Sequence, residues 1–361
     1  MPQSLEFKFA IASDLHIALP HTIWDHPSRF HLVELSIDAF EVVLNHLAGL
    51  DLDFLLLPGD LTQHGEPENH DWVVQRIKQL PYPVYVIPGN HDVPTIGSLD
   101  HFAPRYAAFG YADPQQIYYH REVMPGVRLL GLNSNIFDAE GKQLGRIDEG
   151  QLDWLEELLK DLRVANPDEL IIVTIHHNVL EHMPGQASNP LGRRYILSNA
   201  DRLCEILNYH GVKLIFTGHL HVQDIAYCDR YDLYEITTGS LVSYPHPYRI
   251  LHYKQDLDGA KLEVRSHRVI SVPQFPDLQH FSREWMGDRS GPFMMRLLTH
   301  PPLCLQPDLA EELKPSLRYF WAKIAAGDAE YSFPEFPDRA RQFFEAFGDR
   351  PPADNDATLK L

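Results

Sequence analysis

Cysteine is scarce. Only Cys204, Cys228 and Cys304 occur in 361 residues, far apart and odd in number. That count cannot supply a disulfide framework and fits a reducing compartment. Long apolar runs are missing too. None approaches the roughly 18 residues of a spanning helix, and a strand-like segment already begins near Leu5, where a secretory leader would have to lie. A cytoplasmic protein without a membrane span is therefore expected. Positive charge is the third shortage: 31 Lys and Arg face 50 Asp and Glu, a net charge of −19, with no long basic cluster. A chain this acidic repels polyanions at long range, so extended nucleic acid is not an expected partner. At 44% hydrophobic and 22% charged residues, the chain is instead equipped for a sizeable core, as one large domain or one domain plus an extension.

Histidine is abundant, and its placement is ordered. Five short clusters follow one another: Asp14-Leu15-His16, Gly59-Asp60, Gly89-Asn90-His91-Asp92, His176-His177 and Gly218-His219-Leu220-His221. Each comes just after an apolar run, namely residues 7–11, 54–57, 84–87, 170–175 and 212–216. Continuous runs of this kind read as strands buried on both faces. Ligands at the carboxyl ends of adjacent strands can converge on one crevice, so a single shared site is expected. Imidazole and carboxylate without thiolate suit Mn, Fe or Zn. Two such ions about 3.5–4 Å apart can clamp the attacking and leaving oxygens of an in-line displacement. That arrangement needs a bridging carboxylate, and Asp60 beside the small Gly59 is the choice for it.

Singly, these clusters say little, because short polar pairs after strands are commonly turn or capping residues. All five in order resemble the motif series of calcineurin-like metallophosphoesterases, over residues from about 6 to 270. The resemblance implies that Asp14, His16, Asp60 and His221 hold one metal and that Asp60, Asn90, His176 and His219 hold the second. It also implies that His91 protonates the leaving oxygen or stabilises the charged phosphorus centre, with Asp92 orienting His91 or ending the turn. Neighbours leaving a strand point to opposite sides, so only one of His176 and His177 should coordinate. His176 is the expected ligand, and His177 is a substrate candidate. Many relatives place proline after this pair, whereas this chain has Asn178.

The Gly-Asn-His-Asp form, the Gly59-Asp60-Leu61-Thr62 stretch and the His-His pair most resemble the bacterial branch of class III cyclic nucleotide phosphodiesterases and glycerophosphodiesterases. Protein Ser/Thr phosphatases carry an arginine where Gly65 and Val93-Pro94 stand here. The resemblance thus implies a small phosphodiester, hydrolysed by in-line attack of a metal-bridging hydroxide. A pyrophosphatase on a nucleotide-linked substrate, a phosphomonoesterase and, in another class, a non-catalytic metal-binding scaffold remain open. Arg193, Arg194 or Tyr195 could meet the substrate, because arginine suits bidentate phosphate recognition. The other reading is a solvated charge pair. Histidines outside the clusters default to surface or satisfied core positions, with His64 and His246 kept as loop residues near the site.

Apolar spacing predicts helices over Arg29 to Leu50, Pro67 to Leu80 and Asp148 to Val164, the last opened by an Asp148–Gln151 capping pattern. From Gly218 onward, strand patterns over Asp224 to Cys228, Leu233 to Thr237, Tyr248 to Tyr253 and Lys261 to His267 suggest a second sheet. Sequence patterning alone gives α/β with a late β meander. The resemblance implies a four-layer αββα sandwich. The expected division is a catalytic domain over 1–270, a partly helical extension over 271–348 and a flexible tail over 349–361. Proline punctuates the start of the extension, and helices follow at Leu309 to Ala326 and Pro337 to Phe347. Its aromatic residues need burial, by packing on the core, as a lid, or in a homo-oligomer interface.

Overall fold

A computed structural model describes residues 4–24, 29–257 and 259–361. In chain order the elements are β1 (Leu5–Ile11), α1 (Ser36–Leu47), β2 (Phe54–Leu57), α2 (Pro67–Ile77), β3 (Val84–Val86), α3 (Ile96–Arg105), β4 (Tyr119–Met124), β5 (Val127–Gly131), β6 (Asn135–Phe137), β7 (Gln143–Gly145), α4 (Glu149–Ala165) and β8 (Leu170–Thr174). There follow α5 (Pro190–Arg193), α6 (Ala200–Tyr209), β9 (Leu214–Thr217), β10 (Asp224–Cys228), β11 (Leu233–Thr237), β12 (Pro247–Asp256), β13 (Gly259–Arg268), α7 (Leu278–Thr299), α8 (Pro307–Leu313), α9 (Phe320–Ala326), α10 (Asp338–Glu345) and β14 (Asp356–Lys360).

Two six-stranded sheets run in the orders β14-β13-β12-β1-β2-β3 and β10-β11-β9-β8-β5-β4. Strands β1, β2 and β3 are mutually parallel, as are β5, β8, β9 and β11. Successive side chains of a strand face opposite ways, and the second sheet divides its residues accordingly. Leu129, Ile172, Leu214 and Phe216 join the core shared with the first sheet, where Phe9 meets Phe216 edge to face at 5.5 Å. Leu130, Ile171, Val173 and Ile215 face the other way, into a core closed by Leu152, Leu155 and Leu159 of α4 and Leu203 and Leu207 of α6. Helices α1 and α2 pack Phe40, Val43, Leu47, Val73 and Ile77 into the first sheet's core. The layers are therefore helix, sheet, sheet, helix.

The late strands do not form one second sheet. Strands β12 and β13 extend the first sheet, with β12 antiparallel to β1, whereas β10 and β11 complete the second. The tail expected to be flexible instead carries β14, which pairs with β13 from Lys261↔Lys360 to Arg265↔Asp356 and buries Leu359. Its bonds are backbone bonds, so a polar sequence sufficed. The proline-punctuated start of the extension is the 22-residue α7. Its buried stripe, Leu278, Ser282, Met286, Ser290, Met294 and Leu298, keeps i+4 spacing, but two serines hide the apolar period. One expected helix is broken: Pro315 lies in a short 3₁₀ turn, Lys314–Leu317, between α8 and α9. The first predicted helix begins only at Ser36, after a 3₁₀ turn over Val33–Leu35. At α4, the Asp148 carboxylate accepts from the Gln151 backbone N–H, as its capping pattern predicts.

Helices α7 to α10 enclose a third core containing Met294, Leu298, Leu317, Phe320, Phe333 and Phe344. It also takes in Leu220 and Val222 from the segment after β9. A backbone bond from Gln223 to the Ala325 carbonyl (3.1 Å) fastens the same contact.

Candidate metal centre

All five clusters leave the carboxyl ends of parallel strands. Asp14 and His16 follow β1, Asp60 follows β2, Asn90 and His91 follow β3, His176 and His177 follow β8, and His219 and His221 follow β9. The chain turns abruptly there: Asp14, His16, Asp60, His219 and His221 all have positive φ, between 43° and 66°. A left-handed backbone is uncommon for residues other than glycine, less so for Asp and His than for most, and its concentration at one place is characteristic of functional sites. The glycines permit the crowding. A Cβ on Gly59, itself at φ 92°, would sit 2.6 Å from His176 Nδ1, and one on Gly89 would sit 2.1 Å from both the Asp60 backbone N and Oδ1.

Donor atoms of Asp14, His16, Asp60 and His221 lie within 4.8 Å of one another, and so do those of Asp60, His176 and His219. Asp60 belongs to both groups. Ligand atoms around one ion at about 2.0–2.2 Å are separated by no more than about 4.4 Å, so small closing movements suffice. Neither ring nitrogen of the fully buried His16 has a hydrogen-bond partner. His176 donates Nδ1–H to the Pro58 carbonyl (2.8 Å), which leaves Nε2 facing Asn90 Oδ1 at 3.2 Å and Asp60 Oδ2 at 3.4 Å. A ring lone pair aimed at a carboxylate oxygen calls for a positive charge between them, either a proton or a cation. Burial opposes charge on His176, yet the adjacent Asp60 carboxylate pulls its pKa up to about 9. Burial likewise opposes ionisation of Asp60, but His176 and His91 hold it well below the usual carboxylate range. Burial pushes His16 and His219 down, and neutral imidazole is the form that coordinates. These residues fit a pair of cations.

His91 stands beside this group with its ring 4.7 Å from His16 and its backbone N–H on Asp60 Oδ1 (2.8 Å). Its Nδ1 lies 2.6 Å from the Gln63 carbonyl, which can only accept, so Nδ1 carries the proton and Nε2 faces the cavity. Asp92 does not orient this ring. Its carboxylate accepts from the backbone N–H groups of Leu61, Thr62 and Gly89 and from the Thr62 hydroxyl, tying the β2 and β3 loops together.

His177 is not among the donors grouped with Asp60. Its Nδ1 is 2.7 Å from Ser134 Oγ, its ring is 4.2 Å from that of His219, and burial, aided by the charge on His176, pushes its pKa down to about 3. A cavity of about 700 Å³ opens over the donor atoms, and its walls include His177, Arg194 and Tyr195. Arg193 is exposed and does not line it. Tyr195 packs 5.2 Å from His219 and carries the Arg194 guanidinium over its ring. His64 stacks on His91 at 5.3 Å, so its placement near the site is realised. His246 is wholly buried with Nδ1 on the Leu241 carbonyl (2.9 Å) and does not line the cavity.

Two contributors were not singled out by sequence reasoning. His31 places Nε2 3.0 Å from His221 Nδ1, with its ring 4.4 Å from His16. Nothing local marks it, because its partner is 190 residues away. Glu235 lies fully buried in β11 and accepts from the Val179 and Leu180 backbone N–H groups, the Asn178 amide and the Thr217 hydroxyl. His182 Nε2 approaches it at 3.1 Å, and Asp224 takes the other ring nitrogen. Asn178, in the place of a proline, thus anchors the chain leaving His176. A lone Glu in the strand Leu233-Tyr234-Glu235-Ile236-Thr237 was the available signal.

Comparison with known proteins agrees with this geometry. Residues 7–223 match the calcineurin-like phosphoesterase family. A probable glycerophosphodiester phosphodiesterase of Arcobacter nitrofigilis is 30% identical over 175 residues, 47% of this chain and 56% of that protein, so the match spans little more than half of that relative. A 3′,5′-cyclic adenosine monophosphate phosphodiesterase of Haemophilus influenzae is 29% identical over 210 residues, 57% of this chain and 69% of that one. A dimetal phosphatase from Danio rerio has the same fold, with a TM-score of 0.56, 16% identity and coverage of 73% of this chain and 96% of that one. With the matched segment containing all five strand-end clusters, the chain is a member of the calcineurin-like phosphoesterase family.

Proposed function

We propose that this site hydrolyses a small phosphodiester. Asp14, His16, Asp60 and His221 would hold one cation, and Asp60, Asn90, His176 and His219 the other, with Asp60 between them. The carrying observation is that Asp60 belongs to two buried donor groups while both nitrogens of His16 lack a hydrogen-bond partner. Bound there, two ions of the Mn, Fe or Zn type would supply Lewis-acid stabilisation of phosphoryl charge and a nucleophile from water near neutral pH. The chain's own part is positional and protonic. In the hydrolysis, an oxygen from water bonds to phosphorus as the ester P–O bond breaks. His91, its Nδ1–H held by the Gln63 carbonyl, presents Nε2 to the leaving group; in the imidazolium form the Nε2 proton passes to the departing alkoxide and is replaced from solvent before the next turnover. The water proton leaves to solvent. Arg194 or Tyr195, both on the cavity wall, would meet a substrate oxygen.

The names of the relatives support a cyclic nucleotide or glycerophosphodiester type of substrate. Residues 1–270 would form the catalytic unit and 271–348 the extension. Among the described residues no helix is long and apolar enough to cross a membrane, and the three thiols are unpaired, which supports a reducing, cytoplasmic setting. The test is hydrolysis of bis(p-nitrophenyl) phosphate against p-nitrophenyl phosphate by metal-stripped protein reloaded with Mn, beside Asp60→Asn. Metal-dependent diester cleavage, lost in Asp60→Asn, is expected. Preference for the monoester would indicate a phosphomonoesterase, and two bound metals without turnover of either ester would indicate a binding scaffold.

A further inference from the structure

The cavity over the metal centre has two unlike walls. One side holds the histidines and Asp60, with the polar Gln63, Gln143, Gln186 and Arg194 beside them. The other is built by the extension, through Met286, Phe293 and Leu297 of α7, Trp321 of α9 and Phe347 just beyond α10. Leu220, between His219 and His221, joins the two, because it also belongs to the extension's core. Phe293, Trp321 and Phe347 are only partly buried and keep apolar surface towards the space. A volume of about 700 Å³ belongs in the range of drug-sized ligands. A phosphate carrying two small polyols would leave the apolar side filled with water.

The indole N–H of Trp321 is the hydrogen-bond donor this wall offers, and it is a single one. Ser290 is the polar residue that α7 contributes, and its hydroxyl is already engaged with the Gly287 and Arg318 carbonyls at 2.8 and 2.9 Å. A sugar or nucleobase edge placed there would exchange its water for one indole donor and no acceptor, which is costly. Nor do the rings form a box around an ammonium group: Phe293 and Trp321 pack against each other edge to face at 5.6 Å and 78°. Flexible Met286 and Leu297 beside these ring surfaces favour a hydrocarbon chain, for which adaptable apolar packing is sufficient.

We propose that the substrate carries a hydrocarbon chain on one arm of its phosphodiester, and that the extension is the surface that reads it. This rests on the phosphodiesterase reading above and names the class of substrate for that site. Full burial of a methylene corresponds to roughly a fourfold gain per carbon at most.

The experiment measures kcat/KM of the Mn-loaded full chain for methyl, butyl and octyl p-nitrophenyl phosphates below their aggregation concentrations. Binding of the matching alkyl phosphonates is followed in parallel by calorimetry. Both are expected to rise about two- to fourfold per methylene over part of the series. The octyl-to-methyl ratio should fall at least fivefold in Phe293→Ser and Trp321→Ser. Turnover with a flat chain-length profile, or a ratio unchanged in both variants, would overturn the inference and leave the phosphodiesterase reading intact. Chain-length-dependent binding without turnover would sustain the apolar subsite and overturn the hydrolase reading. Flat binding without turnover would overturn both.

Discussion

Replacing Glu235 by Gln tests whether the buried carboxylate under the His176 loop holds that loop. One oxygen of Glu235 accepts from the Val179 and Leu180 amides at 2.9 and 2.6 Å, and the other accepts from Asn178 and Thr217 and faces His182. A glutamine has one acceptor oxygen. If it serves the two amides, its NH₂ group meets donors of Asn178 and His182, and the imidazolium keeps only Asp224 as its counter-charge. Removing one partner of a fully buried pair costs about 3–5 kcal/mol, and with a urea m-value at or above about 3 kcal/mol/M the midpoint should drop by roughly 1 M. The pH dependence supplies a second, sharper readout. Burial opposes charge on His182, but Glu235 and then Asp224 pull its pKa up to about 10. A histidine raised in the folded state stabilises fully below its unfolded value of about 6.5, and that contribution disappears as the pH climbs towards 10. Glu235 is shifted the opposite way, so its own contribution disappears only in acid and does not enter this window. The metal-free parent should therefore lose up to about 1.4 kcal/mol per pH unit from this ring between pH 7 and 10. Glu235→Gln should show a smaller loss. Urea unfolding of both proteins in chelator at pH 7, 8.5 and 9.5 decides the matter, with the difference removing what His176 contributes to each. A variant within about 0.5 kcal/mol of the parent at pH 7, or one with an undiminished pH slope, would refute the reasoning.

Two further substitutions probe the site. A ligand imidazole that coordinates through Nε2 donates its Nδ1–H outward, and for His221 the acceptor is His31, 3.0 Å away. His31→Ala is accordingly expected to weaken metal affinity by about 10- to 100-fold, measured by competition with a chromogenic chelator, with the fold unchanged by circular dichroism. His91→Ala should retain its metals and lose about 10²–10⁴ in kcat on an alkyl ester. On p-nitrophenyl esters, whose leaving group hardly needs a proton, the loss should be smaller, and an equal loss on both would show that His91 does not act as the acid.

The strands and the candidate metal-binding residues were legible because both signals are local. A buried parallel strand is a continuous apolar run, and the residue just past its end is delivered to a common crevice whatever the rest of the chain does. That is why Asp14, His16, Asp60, His176, His219 and His221 stand out in the sequence and meet in the fold. Asp92 looked like a partner for His91 because it is adjacent, yet its turn aims the carboxylate at backbone amides instead.

The sequence by itself thus determined the strands that carry the site, the helices α1, α2 and α4, the five strand-end clusters and the chemistry of their donors, since each depends on residues within a few positions of one another. Tertiary structure alone decided that β12 and β13 join the first sheet, that β14 closes its edge, and that His31 reaches His221. It also decided that the extension forms the far wall of the cavity. These pairings join segments tens to hundreds of residues apart through backbone bonds and shared burial, and neither leaves a periodic trace in the sequence around any one of them.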